Sequence, residues 1–424
     1  MTAALFIALA LAAPAPKDAG TGADWPQWRG PHRDGKSTET GLVIPKSGLP
    51  LAWTNKDIGI GYGQTAVVGD RLYLVGGSDN KSGSPEALHC LALADGKELW
   101  KLDLGTSPGK FSEGWGGGPR STPTVVDGHV YALGATGELV CATIDGKKIW
   151  SKSLVKDFNG NIPQWGYSES PLVDDGRVVV TPGSGTGMIA LDAKTGKTIW
   201  ACKDFDDGAG YSSIMPMMLG GKKLYIQQTM KSALGVFADS GKLAFKTGEI
   251  ARRTAVIPTP IVSGDYVFFT AGYGAGSECY LLSLAGDKVN AKKIYTNLKT
   301  LQNHHGGVIE LGDNVFGHSD SGGWTMLPFK KESPEALWQN GKFGKGSVTF
   351  ADGYFFCYQE KDGEIVVVKA TPEKWDEVSR FKIPATSSKR PKSGKVWPHP
   401  VVARGKLFLR DFELLHVYDL KAKS

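Results

Sequence analysis

An all-β chain closed into a ring of eight four-stranded antiparallel blades is what this sequence predicts, on three observations. One strand-turn-strand unit recurs eight times, a second tight turn precedes each copy, and the last copy lacks an outer strand that the other end of the chain can supply. The unit is clearest in LALADGKELW (91–100), ATIDGKKIW (142–150), ALDAKTGKTIW (190–200) and ADSGKLAF (238–245). In each, a short apolar strand meets an Asp/Ser/Thr-Gly-Lys turn, and a second strand ends in an aromatic. Glycine supplies the positive φ that a two-residue hairpin turn needs, and the flanking alternation makes the pair antiparallel. The closing aromatics Trp53, Trp100, Trp150, Trp200, Phe245, Tyr295, Trp338 and Phe381 fall at intervals of 47, 50, 50, 45, 50, 43 and 43 residues.

The second landmark runs VVGDRLYL (67–74), VVDGHVYAL (125–133), VDDGRVVV (173–180) and LGGKKLYI (219–226), and continues as VSGDYVFF, LGDNVFG, FADGYFF and ARGKLFL. Each unit therefore holds four strands, and no helical period runs long enough for a helical solenoid. One such unit cannot bury both faces and must stack on neighbours around an axis. After HPVVARGKLFLR (399–410) only LLHVYDLK (414–421) remains, so the eighth blade has three strands of its own. The segment LAWTNKDI (51–58) supplies the fourth and removes an exposed sheet edge. Residues 51–421 are then a single domain at about 46 residues per blade.

Composition agrees. Hydrophobic residues make up 41% and charged residues 22%, which suits a large folded core, and 56 glycines without a glycine period suit many tight turns. A net charge of +6, from 49 basic and 43 acidic residues, provides no basic block and excludes nucleic acid as a partner. The run AALFIALALAA at residues 3–13 is too short to span a bilayer. Residues 1–12 read as a signal peptide with Ala10-Leu11-Ala12 as the small-x-small cleavage pattern, which places the protein in the periplasm or outside the cell, with no transmembrane segment. Residues 13–50 read as a leader strap, ordered because Trp25 and Trp28 would be costly to expose. Cys90, Cys141, Cys202, Cys279 and Cys357 lack any CxxC or CxxCH spacing, so they read as buried free thiols rather than as zinc, haem or disulfide positions. A monomer is expected.

Topology sorts the loops. In a four-stranded blade, the segment leading into the innermost strand and the loop between the second and third strands share one face. The stereotyped Asp-Gly and Gly-Lys turns share the other. The first face collects Gln64, Arg120, Trp165, Tyr167, Glu169, Tyr211, Arg252, His304, His305, Asp320, Lys345, His399 and Arg410. Turn formation asks for none of these types, whereas a concave mouth ringed by them holds a polar ligand. Arg120, Arg252 and Lys345 suit an anion, Glu169 suits a base or metal ligand, and the histidines suit ligands or proton carriers. Glu169, His305 and Asp320 are the catalytic candidates, and the rest are ligand-binding candidates. Adjacent His304 and His305 would point to opposite faces of an extended strand, so only one of them is expected at a common site.

The string Ala190-Leu191-Asp192-Ala193-Lys194-Thr195-Gly196-Lys197-Thr198-Ile199-Trp200 resembles the docking motif of propellers of the pyrroloquinoline-quinone (PQQ) repeat type. The resemblance covers residues 25–421, with the blocks WPQWRGPHRDG, GPRSTPT, WGYSESP, DGAGYSS, NHHGG and WPHPVV, and is to the exported bacterial type. It implies that Trp53, Trp100, Trp150 and Trp200 dock neighbouring blades. Two functions are open to such a chain. One is a non-catalytic propeller binding a small molecule, a glycan or a protein at its mouth. The other is a PQQ-dependent alcohol or sugar dehydrogenase, whose planar tricarboxylate cofactor needs cations, a stacking partner and usually Ca2+ on oxygen ligands. Arg120, Lys345, Trp165, Glu169, Asn303 and Asp320 are the residue types for that role. Against the enzyme stand the missing vicinal cysteine pair, the missing haem motif and a chain shorter than the alcohol dehydrogenases of the family.

Overall fold

A computed structural model describes residues 23–248, 250 and 254–421. They form eight four-stranded antiparallel sheets, each pairing its strands in chain order except the last. Blades 1 to 7 occupy residues 66–103, 124–153, 172–202, 215–247, 261–297, 308–340 and 346–382. Blade 8 is 401–419, and its outermost strand is Leu51–Asn55, paired antiparallel to Leu414–Asp419 with Thr54 opposite His416. The predicted N-terminal closure is thus the observed one. One five-residue helix, Leu154–Phe158, follows blade 2; Ser153 caps it by accepting from the Lys156 amide at 3.1 Å. The expected signal peptide lies outside the described residues. Among those residues, no helix is long and apolar enough to cross a membrane.

The first strands of most neighbouring blades touch one another, so these strands surround the axis. Their hairpin turns are of the two kinds that match strand twist. Asp127-Gly128, Asp175-Gly176 and Asp352-Gly353 have φ of 48 and 73°, 46 and 72°, and 49 and 77°, the type I′ signature, whereas Gly69-Asp70, Gly264-Asp265 and Gly312-Asp313 place only the glycine at positive φ.

Blades stack through apolar layers, such as Leu133 and Leu139 of blade 2 against Val178 and Ile189 of blade 3. The docking tryptophans fix the stacking. The indole N–H groups of Trp53, Trp100, Trp150 and Trp200 donate to the carbonyls of Leu93, Ile144, Ala193 and Ala238 in the following blade, at 3.1, 3.0, 2.9 and 2.9 Å. Each ring also covers that blade's turn glycine, Gly96, Gly146, Gly196 or Gly241, where a Cβ would come within 2.5 to 2.8 Å of the ring. The glycine of the Gly-Lys turn therefore serves both the turn's φ and the approach of the neighbouring indole. All five cysteines are free and buried.

Candidate functional site

The leader does not cap the mouth; residues 25–37 enter the central channel and bond to every blade. Trp25 pairs with Val67 of blade 1 by two backbone bonds of 2.8 Å, and the Pro26 carbonyl accepts from Val125 of blade 2 at 2.8 Å. Arg33 donates to the carbonyls of Ser170 (2.9 Å) and Pro171 (3.3 Å) before blade 3 and of Ile214 (2.9 Å) before blade 4. The Trp28 indole donates to Thr259 Oγ1 before blade 5 at 2.8 Å, and Arg29 donates to the Val308 carbonyl of blade 6. On the way out, the Ser37 amide donates to Phe350 of blade 7 at 2.8 Å and its hydroxyl to Val402 of blade 8 at 2.7 Å. Arg29 and Arg33 hold φ of 58° each, a costly conformation for a side-chain-bearing residue that these contacts over-determine. The repeats cannot supply such a hub, so the segment carries a sequence unlike any blade.

Above the plug lies a cavity of about 190 Å³, open at the face that carries the varied loops. Trp28 forms part of its lining, 4.9 Å from the His399 ring. Blade 1's leading segment contributes Tyr62, tilted at 49° with its ring 4.9 Å from Trp397, and Trp115 lies 6.4 Å from the same indole. Across the cavity Trp165 and Tyr211 sit 5.6 Å apart, and Tyr273 meets His304 edge-on at 4.5 Å. Arg120 lines the same space over the Tyr62 ring at 5.2 Å, with its guanidinium donating to the carbonyls of Gly116 (2.8 Å) and Gly118 (3.2 Å). Ser168, Ala255 and Ile257 complete it.

Both His304 and His305 line this cavity, against the expectation that one would turn away. The chain bends at residues 305–306 instead of running extended, which releases the alternation rule. Their hydrogen bonds fix what each presents. Lys345 Nζ can only donate, so His304 Nδ1 accepts from it at 2.6 Å, and Nε2 carries the proton. His399 Nε2 donates to the His305 carbonyl at 2.9 Å, which leaves Nδ1 bare. Burial holds the His399 and His304 rings down at about 3, aided by Arg29 against the opposing bond to the His305 carbonyl for the first, and by His305 and Lys345 for the second. Both are neutral imidazoles at physiological pH. His305 Nε2 meets Glu360 Oε2 at 2.7 Å; burial alone would raise that carboxyl, but the histidine bond and its charge hold it at about 2. Trp397 also donates to Glu360, at 3.2 Å.

The remaining sequence candidates sit around or beneath this space. Lys345 pairs with Asp320 at 2.6 Å at its edge. Gln64 lies below, accepting from the Arg29 amide at 3.0 Å and donating to the Pro400 carbonyl at 3.2 Å. Tyr167 is buried between blades and donates to the Pro182 carbonyl at 2.8 Å. Glu169, 2% exposed, accepts from the Thr181 amide at 2.8 Å and from Gln227 at 3.3 Å; burial wins over these donors and pushes its carboxyl up to about 8. Arg410 is buried among the carbonyls of Gly59, Gly63, Val75 and Phe412. Arg252 lies outside the described residues.

Sequence reasoning did not single out Trp28, Trp115, Tyr273 or Glu360. Tyr273 and Glu360 occupy loops between second and third strands, which topology assigns to the mouth, so a complete pass over those loops would have found them. Trp115 stands alone in the glycine run Gly114 to Gly118, where nothing but a contact explains an indole.

The cavity chemistry does not fit PQQ held by Ca2+. No carboxylate or amide side chain lines the space, and among the described residues no cluster of three or more His, Cys, Asp or Glu is placed to hold a metal.

Residues 84–366 match the family described as outer membrane protein assembly factor BamB. A curated relative, outer membrane protein assembly factor BamB of Moranella endobia (strain PCIT), is 25% identical over 199 residues, covering 47% of this chain and 45% of that protein. The chain thus spans under half the length of that relative. Among solved structures, BamB from Moraxella catarrhalis is similar with a TM-score of 0.57 at 15% identity, covering 85% of this chain and 95% of that one. Quinohemoprotein alcohol dehydrogenase from Comamonas testosteroni reaches 0.58 at 12% identity, covering 95% and 81%. At such identities the likeness shows the fold alone, and an assembly factor and a dehydrogenase share it.

Proposed function

Starting from a chain that belongs to the outer membrane protein assembly factor BamB family, we propose an exported, non-catalytic propeller that binds a ligand in the aromatic cavity at its mouth. The ligand is a small polar group, free or presented by a larger partner. The observation that carries this reading is the convergence of Trp28, Trp115, Trp165 and Trp397 with tyrosines, histidines and one arginine on a single cavity. Trp, Tyr and Arg are the residues that dominate binding energy at recognition sites, because they combine large rigid area with a polar handle. Catalysis has less support: each carboxylate near the mouth is already paired, Glu360 with His305 and Asp320 with Lys345. A periplasmic location agrees with the family and with the apolar run at residues 3–13.

A protein partner presenting its own side chain is the second reading, favoured by the family's description as an assembly factor. Photo-crosslinking in an exporting host tests the face. A photoreactive amino acid at Ser168, on the mouth, is expected to give adducts, and the same group at Lys147, on the turn face, is expected to give none. Adducts confined to position 147 would overturn the choice of face.

A further inference from the structure

Resting on the reading that the mouth binds a ligand, we propose that its occupant is one uncharged, hydroxyl-bearing ring: the pyranose of a neutral glycan.

The cavity's polar atoms narrow the ligand further than its aromatic walls do. His399 and His305, 5% and 7% exposed, each leave a ring Nδ1 buried without any partner. The bare His399 nitrogen is an acceptor, because Nε2 of that ring is the donor to a carbonyl. His305 also leaves its Nδ1 free for a ligand, because its Nε2 is taken by the Glu360 carboxylate. A buried acceptor left unmet is costly, so a wholly apolar occupant is disfavoured and one with O–H donors is favoured. His304 supplies the complementary group, an Nε2–H donor, because its Nδ1 accepts from Lys345. A hydroxyl can both donate to His399 and accept from His304, which matches this mixed set.

Charge is unwelcome on either sign. A cation would meet Arg120, and an anion would meet the bare lone pair of His399 and the Glu360 carboxylate bonded to His305. Every other nearby charge is already paired, as Lys345 is with Asp320. A quaternary ammonium, which aromatic cages otherwise suit, is therefore disfavoured here.

Shape points the same way. Trp165 with Tyr211 and Trp397 with Tyr62 offer aromatic faces for the C–H faces of a sugar ring, while the histidines meet its hydroxyl edge. Trp28 and the plug behind it close the cavity, so an extended peptide cannot run through. The volume of about 190 Å³ lies below the roughly 300–1,000 Å³ of pockets for drug-sized ligands, which suits a single ring.

The test uses the full secreted chain on a broad array of neutral and charged glycans, followed by calorimetry and tryptophan fluorescence with the hits and with short uncharged peptides. A neutral glycan is expected to bind and quench, its uronate or amino-sugar counterpart to bind about tenfold more weakly, and His399→Leu and Trp165→Ala to weaken binding about tenfold each. Trp165→Ala, on the wall and not in the channel, keeps the test valid if His399→Leu fails to fold. Binding by charged glycans alone, or neutral binding that Trp165→Ala leaves unchanged, overturns the sugar assignment. Quenching by peptides alone, lost in Trp165→Ala, overturns the sugar and leaves the mouth as the binding site. No response to any of these probes overturns the sugar assignment, and if crosslinks also come only from position 147, the mouth fails with it.

Discussion

Trp28 and His399 lie with ring centroids 4.9 Å apart, although one precedes the ring of blades and the other opens its last blade. The leader thus forms part of the lining of a cavity whose walls come from the blades. Changing Trp28 should affect both binding and folding. Trp28→Ala removes a half-buried indole and its bond to Thr259, and is expected to cost about 2 kcal/mol in urea unfolding while weakening ligand binding tenfold or more. Loss of stability without loss of affinity would remove Trp28 from the site.

Arg33 is the opposite case. Its guanidinium is buried and bonds to carbonyls ahead of blades 3 and 4, and the residue does not line the cavity. Arg33→Met leaves those carbonyls unmet, and about 3 kcal/mol of stability should be lost, measured as a shift in the denaturant midpoint at unchanged slope. An unchanged midpoint would mean that the channel plug does not tie the blades together.

Docking is tested at Trp150. Trp150→Phe keeps a ring over Gly196 but loses the bond to the Ala193 carbonyl, and about 1 kcal/mol should go; Trp150→Ala should cost about 3 kcal/mol. Gly196→Ala combines a φ of 68° with a Cβ 2.8 Å from the indole, and should also destabilise clearly.

Acid should weaken the fold through the neutral histidines. Burial, with Arg29 adding to it, holds His399 at about 3, whereas the unfolded ring titrates near 6.5. Between those values the unfolded chain binds a proton that the folded chain refuses. The stabilisation is complete above about pH 6.5 and falls as pH drops towards 3, by up to roughly 1.4 kcal/mol per pH unit. His399→Gln should flatten that limb of a stability–pH curve. Glu169 acts in the other direction. Its folded carboxyl sits at about 8 against an ordinary 4.5, so stability is lost as pH rises across that window, and Glu169→Gln should gain relative stability near pH 8. A wild-type-like slope in either variant would contradict the corresponding assignment.

Much of the ring was legible because a two-residue hairpin demands glycine and a docking indole demands another glycine beneath it. Those needs repeat with the blade and leave a period in the sequence. The mouth was legible for a different reason: topology alone assigns loops to faces, and Arg120, Trp165, Tyr211, His304, His305 and His399, all drawn from that face, line one cavity. The path of the leader was not legible. Its bonds to the blades join residues far apart in sequence and leave no local pattern. Residue type also fails to separate a polar side chain offered to a ligand from one satisfied inside the protein. Glu169, Tyr167, Gln64 and Arg410 lie on the predicted face and are bonded to neighbouring groups beneath or beside the cavity.

The most direct measurement of the binding claim is a crystal structure of the protein with its tightest-binding compound from the glycan and peptide screens. The account predicts ligand density between Trp165 and Trp397, with a donor within hydrogen-bond distance of His399 Nδ1. Density only on the turn face, or in the groove beside Glu86 and His89, with the aromatic cavity holding solvent, would contradict it.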